Sequence, residues 1–596
     1  MNERIELQRR RIAAARGDIP ADLVLRGGSV VNVFSGGVDV RDLAVKDGVI
    51  VGLGEGLRGV EERDVSGDFL LPGFIEGHLH VESSMMMPRS LAAALIPNGT
   101  TALVSDPHEI ANVLGMDGIR LMLEDSSCGI PFDFFFMAPS CVPATHMETS
   151  GAALHPGDLA PLLYEPRVLG LAEMMNFPGV LAGDEEVLQK IDLFRNRVVD
   201  GHSPGLTGRD LQAYLTAGIG SDHESFALAE GREKVEAGMM LMIREGTSAR
   251  NLGALLPLVN QTNWNRFCLV HDDLHAEELA ERGHLDYLLR KAVGLGLDPV
   301  TAVRLVTINP AQYFGLRSRG ALAPGYRADI VVADDLERFE IKAVFKDGSL
   351  VAEGGRLTAH WPASGPPGRP ERPSPLRMAP FTPDRLAIAH AGGDARVIEL
   401  VPGELITRAL LSPVPAAQGR VQTDVANDTL KLCVFERHRE SGRIGLGLVR
   451  GFGLKQGALA SSVAHDSHNV IAVGVDDASI HCAVTRLREI GGGLAAAVGD
   501  RVLAELPLEV AGLMTRAPFE GLVQKIRAVK EAASELGAAV SEPFMALSFL
   551  ALPVIPELKL TDRGLVDVNR FAIVPIFPAQ EQEKAADTPA SGADER

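Results

Sequence analysis

The sequence predicts an α/β protein built around a (β/α)8 barrel, with a small β domain assembled from both flanks of the barrel and an additional C-terminal α+β domain. Three observations carry this expectation. Short apolar runs ending in polar residues recur between Pro72 and residue 317, each followed by helix-like text. Val-rich runs broken by Gly-Gly and Asp-Gly pairs stand on both sides of that region. Prolines crowd between Trp361 and Asp384 and announce a further domain.

Taken in order, residues 1–20 begin MNERIELQRRRIAAARG, whose alternating charge and lack of an apolar stretch read as an exposed helix and not an export signal. Residues 21–71 carry the turn-punctuated alternation of β-hairpins. Residues 72–317 contain FIEGHLH, TALVSDPHE, FDFFFMAPS, VLGLAEMM, GIGSDHE, MLMIREG and FCLVHDD. Repeated β-then-α units of this kind predict a parallel barrel whose functional residues lie at the C-terminal strand ends. Residues 318–360 return to the hairpin style and are expected to join 21–71 in one domain, making the barrel an insertion. Residues 361–384 have the composition of an extended linker. Residues 385–578 mix strand-like TLKLCVFERH and NVIAVGV with helix-like LVQKIRAVKEAASELG, a separate α+β domain. The 579–596 tail holds too few apolar residues to order itself.

Composition narrows the function. A chain of 596 residues with 46% hydrophobic and 23% charged residues can bury several cores. A formal net charge of −20 argues against binding nucleic acid, whose affinity comes largely from Lys and Arg displacing counterions. No apolar stretch reaches membrane-spanning length, so no membrane association is expected. The five cysteines are scattered and never form C-x-x-C, which points to a reducing cytoplasm and away from disulfides or a zinc knuckle.

The polar strand endings hold the chemistry. His78 and His80 are two apart, and alternate residues of a strand share a face, so both imidazoles can serve one metal. Glu173, His202, His223 and Asp272 each close a later strand-like run. Four imidazoles and two carboxylates exceed what one cation needs and suggest a binuclear site holding a pair of divalent ions. With no thiolate among the donors, Mn2+, Fe2+ and Zn2+ all suit it.

PGFIEGHLHVESS resembles the first-strand signature of the amidohydrolase superfamily. The likeness to its adenine deaminase family runs on through NGTTALVSDPHEIANVLG, LAEMMNFPG, DGHSPGL, AGIGSDHES, HDDLHAEEL and, in the last domain, GFGLKQGALASSVAHDSHN and PFMALSFLALPVIPELKLTD. The resemblance implies a metallo-hydrolase barrel with His78, His80, Glu173, His202, His223 and Asp272 as metal ligands, Glu173 standing where related hydrolases carry a carboxylated lysine. It implies a metal-activated hydroxide that attacks C6 of adenine, giving hypoxanthine and ammonia in purine salvage. Asp272 would move the proton from the water to a ring nitrogen or the departing amine. A homodimer is also implied. The chain departs from the family pattern at His271-Asp272-Asp273-Leu274-His275, where a threonine before the paired aspartates and an arginine after them are expected.

Further candidates are Glu245 in IREG, for proton transfer or for holding the ring, and Glu82, Asp106, His108, His465 and His468 for contacts to the substrate. Glu109 shares the DPHE motif with Asp106 and His108. Competing readings are an amidohydrolase acting on a cyclic amide or another aminopurine, and a non-catalytic barrel assembly protein. The cytidine-deaminase type needs H-x-E and P-C-x-x-C, which the chain lacks.

Overall fold

A computed structural model describes residues 2–127, 129–247, 249–359 and 376–578. The expectations for the tail at 579–596 and for the proline-rich stretch up to residue 375 lie outside the described residues. The chain divides into two compact units.

In the first unit, the segment between Phe74 and Val270 supplies eight parallel strands: β1 (Phe74–Leu79), β2 (Thr100–Ser105), β3 (Asp133–Ala138), β4 (Val168–Met174), β5 (Val198–Gly201), β6 (Ser221–Asp222), β7 (Met240–Arg244) and β8 (Phe267–Val270). β1 to β5 pair in sequence order, and so do β6 to β8. The Gly220 N–H donates to the Val199 carbonyl at 2.9 Å, and a parallel bridge between Leu79 and Asp272 brings the last strand back to the first. Ile75, Ala102, Val104, Met137, Ala172, Met240, Met242, Cys268 and Val270 form one buried cluster around the ring, the close-packed filling a small barrel requires.

The small β domain belongs to the same unit and is assembled from both flanks. Phe69–Pro72, from before the barrel, pairs antiparallel with Ile330–Ala333, from after it, in the register Leu71↔Val331. Leu23, Leu25, Leu43, Val45 and Ile50 pack there with Ile330, Val332 and Phe345. The N-terminal helix, Asn2–Ala15, contributes Ala14 to a side cluster with Ala21, Val24, Ala44 and Val51, while Ile5 and Ile12 stay exposed.

The second unit holds an eight-stranded sheet whose centre is Thr429–Phe435, Val470–Gly474 and Ala458–Ser461. The helix Asp477–Ile490 buries Ile480, Ala483, Val484 and Leu487 against it. The helix-like text at 522–537 is a helix over Phe519–Glu535, burying Leu522, Val523, Ile526 and Val529, the spacing of one helical face. His108–Ile119 and Cys141–Leu154 also belong to this unit, although they read in sequence as barrel connections.

Candidate active site

The first unit brings six predicted donors to the C-terminal ends of its strands. His78 and His80 leave β1, and their Nε2 atoms lie 3.3 and 3.1 Å from Asp272 Oδ1, beyond the end of β8. Glu173 in β4 is shared between two pairs of imidazoles: Oε1 is 3.2 Å from His80 Nε2 and 4.0 Å from His78 Nε2, while Oε2 is 2.7 Å from His202 Nδ1 and 3.1 Å from His223 Nε2. All six residues are buried.

The local fold dictates this convergence. His80 Nδ1 faces the Asp106 carbonyl at 3.0 Å, which leaves Nε2 for the cluster. Asp272 has φ +67, a region seldom adopted outside glycine, aspartate and asparagine. Two backbone hydrogen bonds hold it there, from its N–H to the His78 carbonyl and from the His80 N–H to its own carbonyl, each 3.0 Å. The neighbouring Asp273 accepts a hydrogen bond from Ser83 Oγ, so the two adjacent aspartates have separate partners.

Behind His202 and His223 lies a fully buried ion network. Lys234 Nζ donates to the Ser203 carbonyl at 2.7 Å, Asp222 Oδ2 at 3.0 Å and Glu230 Oε1 at 2.7 Å. Asp222 accepts in turn from the N–H groups of Ser203 and Ser225, fixing the segments that follow both histidines. Replacing Lys234 with Met should leave two buried carboxylates without their cation and cost about 3–5 kcal/mol, read as a lower denaturant midpoint.

Charge is balanced by mutual pairing. Burial opposes ionisation of Glu173, yet the charge of His223 and hydrogen bonds from His202, His223 and His80 hold it well below the usual carboxylate range. Burial likewise opposes a charge on His223, but Glu173 raises it to about 9. His80 is raised well above the ordinary value by Asp272 and Glu173. Such a cluster fits divalent cations: its donors are imidazoles and carboxylates, and His78 Nε2 is buried without a hydrogen-bond partner.

Of the remaining candidates, Asp106 offers a ligand atom within 4.8 Å of those of His80 and Glu173. Glu82 is buried in the short turn Val81–Ser84, and Asp106 follows the end of β2. Glu245 is ion-paired with Lys291. His108, His465 and His468 lie in the second unit, where His465 Nδ1 is 3.2 Å from Glu109 Oε1 and His108 Nε2 is 3.7 Å from Asp466 Oδ1.

Two residues of the first unit escaped the sequence reading. Arg244, at the end of β7, donates from Nη1 to Asp272 Oδ2 at 2.5 Å and grips both carboxylate oxygens of Glu224, from Nη2 at 2.6 Å and from Nη1. Glu224 Oε1 is itself 3.6 Å from His202 Nδ1 and from His223 Nε2. Strand alternation held the signal for Arg244: it shares a face with Met240 and Met242 of the barrel core, whereas Glu245 follows on the opposite parity. Glu224 gave no comparable signal.

Comparison with known proteins agrees with this geometry. Residues 69–351 match the amidohydrolase family, and residues 404–572 match the adenine deaminase C-terminal domain. A protein named adenine deaminase from Desulfatibacillum aliphaticivorans is 49% identical over 572 residues, covering 95% of this chain and 99% of that one. One of the same name from Dehalococcoides mccartyi is 49% identical over 568 residues, and adenine deaminase 2 from Carboxydothermus hydrogenoformans is 46% identical over 567, each covering 95% of this chain and 98% of the relative. The chain belongs to the adenine deaminase family of amidohydrolases.

Proposed function

We propose that this chain hydrolyses adenine to hypoxanthine and ammonia at the strand ends of the barrel. The observation that carries the reading is Glu173, whose two oxygens face two separate pairs of histidines while Asp272 completes the first pair. His78, His80, Glu173, Asp272, His202 and His223 are the residues that would hold a pair of divalent cations there. Bound there, the cations supply an acidified water as nucleophile at neutral pH. Mn2+ or Fe2+ is the proposed pair, with Zn2+ as the alternative, and the proposal extends to a cytoplasmic homodimer. No helix among the described residues is long and apolar enough to cross a membrane.

Asp272 is the proposed proton carrier. Its carboxylate takes a proton from the attacking water and delivers it toward the ring nitrogen or the departing amine at C6. Glu82, Asp106, His108, His465 and His468 stay proposed contacts for the purine. Glu245 is proposed to assist proton transfer or hold the ring, and Glu245→Gln tests it, since unchanged turnover would leave the residue only its ion pair with Lys291.

The test of the whole reading is ammonia release from adenine by protein reconstituted with Mn2+ or Fe2+, followed beside the absorbance change to hypoxanthine. Activity on a cyclic amide alone would keep the cation site and overturn the substrate. Metal uptake should also depend on pH with a definite sign. Ligand imidazoles must be neutral, and His223 in the metal-free protein holds its proton up to about 9. Binding therefore expels protons, and apparent affinity should rise with pH, by about tenfold per unit for each proton displaced, until that value is passed. Titrations of metal-free protein at three pH values check this.

A further inference from the structure

The proposed donor set leaves Glu224 unexplained. It is buried, and one of its oxygens stands at the same 3.6 Å from His202 Nδ1 and His223 Nε2, close enough to join any cation those imidazoles hold. Asp272 raises a related question. A carboxylate can turn about its Cβ–Cγ bond and offer a cation one oxygen or both, yet only Oδ1 faces His78 and His80.

One side chain answers both points. The Arg244 guanidinium is buried and occupies both oxygens of Glu224 together with Asp272 Oδ2. A guanidinium out of water needs such partners, and its planar fork fixes their orientation as a lysine's point charge would not. With Arg244 on Oδ2, Asp272 can present only Oδ1. With Arg244 across both of its oxygens, Glu224 is drawn out of competition with Glu173 for the second pair of histidines. The strained backbone at Asp272 fixes where that carboxylate starts, and Arg244 fixes how it is turned.

We propose that Arg244 is a positioning residue that sets the donor set of the barrel mouth, admitting one oxygen of Asp272 and excluding Glu224. The inference rests on the reading of this mouth as a cation site. It differs from a merely structural role, which would tie Arg244 to stability alone and leave coordination and turnover per bound ion unchanged. Outer partners of metal ligands commonly contribute 10–100-fold to affinity or activity, which sets the scale of the effect.

The experiment loads the full-length wild type, Arg244→Met and Arg244→Lys with Co2+ as a spectroscopic probe, alongside Mn2+ for turnover. Bound metal per chain, the visible absorption of the Co2+ form, and kcat and KM per bound ion are measured. The expected result is that both variants keep their metal but show a weaker visible absorption, as added carboxylate oxygens raise the coordination number. In the Mn2+ form, kcat should fall by about 10–100-fold with KM little changed. The double variant Arg244→Met/Glu224→Leu should recover part of the spectrum, because the intruding carboxylate is gone. Variants with full metal, the wild-type spectrum and wild-type kcat would overturn the proposal. Should Arg244→Met fail to fold, Arg244→Lys decides it, since a buried cation that cannot grip three oxygens still predicts the spectral change. A wild type that binds no cation sinks the cation reading itself, an outcome distinct from variants that behave like an active wild type.

Discussion

Asp272→Asn should lower kcat on adenine by about 10^3-fold, within the range attributed to a positioned acid–base group, while most of the bound metal is kept. The amide matches the carboxylate in shape, and its oxygen can still face His78 and His80. What it cannot do is hold the proton that leaves the attacking water. The electrostatics sharpen the expectation. Burial pushes the Asp272 carboxyl up, but the Arg244 charge and the facing imidazoles of His78 and His80 hold it well below its ordinary range, so the wild-type side chain enters the reaction as a carboxylate. The measurement is kcat and KM from ammonia release, with metal content determined on the same sample. A variant with full metal and turnover within tenfold of wild type would remove Asp272 from proton transfer and turn attention to Glu82 and Asp106. Equal loss of metal and turnover would show that Asp272 acts only as a ligand.

The barrel was legible because its signal is repeated. Runs such as FCLVHDD and VLGLAEMM pair an apolar strand with a polar last residue, and a polar group ending a buried strand has few reasons to be there besides the barrel rim. His78 and His80 could be placed by alternation alone. Glu76 shows where alternation stops: parity puts it with those histidines, yet the β1–β2 register shifts after it, and its carboxylate takes the His271 ring at 2.7 Å. His271, standing where the family pattern leads one to expect threonine, therefore has a buried partner within the barrel. The choice between Arg244 and Glu245 was available in the Met240–Met242 pattern, but an acidic residue closing a strand was the more conspicuous feature. The allegiance of 108–119 and 141–154 to the second unit could not be read, because strand–loop–helix periodicity is the same whichever core a loop's contents join.

Glu173→Gln should have the second large effect, and on a different quantity. The amide keeps the length of the side chain, but it replaces one oxygen with an NH2 group and removes the charge, so only one of its two ends can still face an imidazole pair as an acceptor. Metal per chain should fall from the proposed two toward one or none, with activity lost in proportion. The histidines should respond as well. His223 is raised to about 9 chiefly by Glu173, and His80 owes part of its elevation to the same group, so both should titrate lower in the metal-free variant. That shift separates a bridging carboxylate from one that only fills space. A charge-removing substitution at a bridge changes metal number and imidazole titration together, whereas a packing residue changes stability alone. Glu173→Asp completes the argument, for it keeps the charge but withdraws it by one methylene. Its oxygens could then approach one histidine pair but not span both, so one ion should remain and turnover should still be lost. Retention of two ions in both variants would show that the imidazoles and Asp272 hold the cations without a bridge, and the binuclear reading of Glu173 would fall.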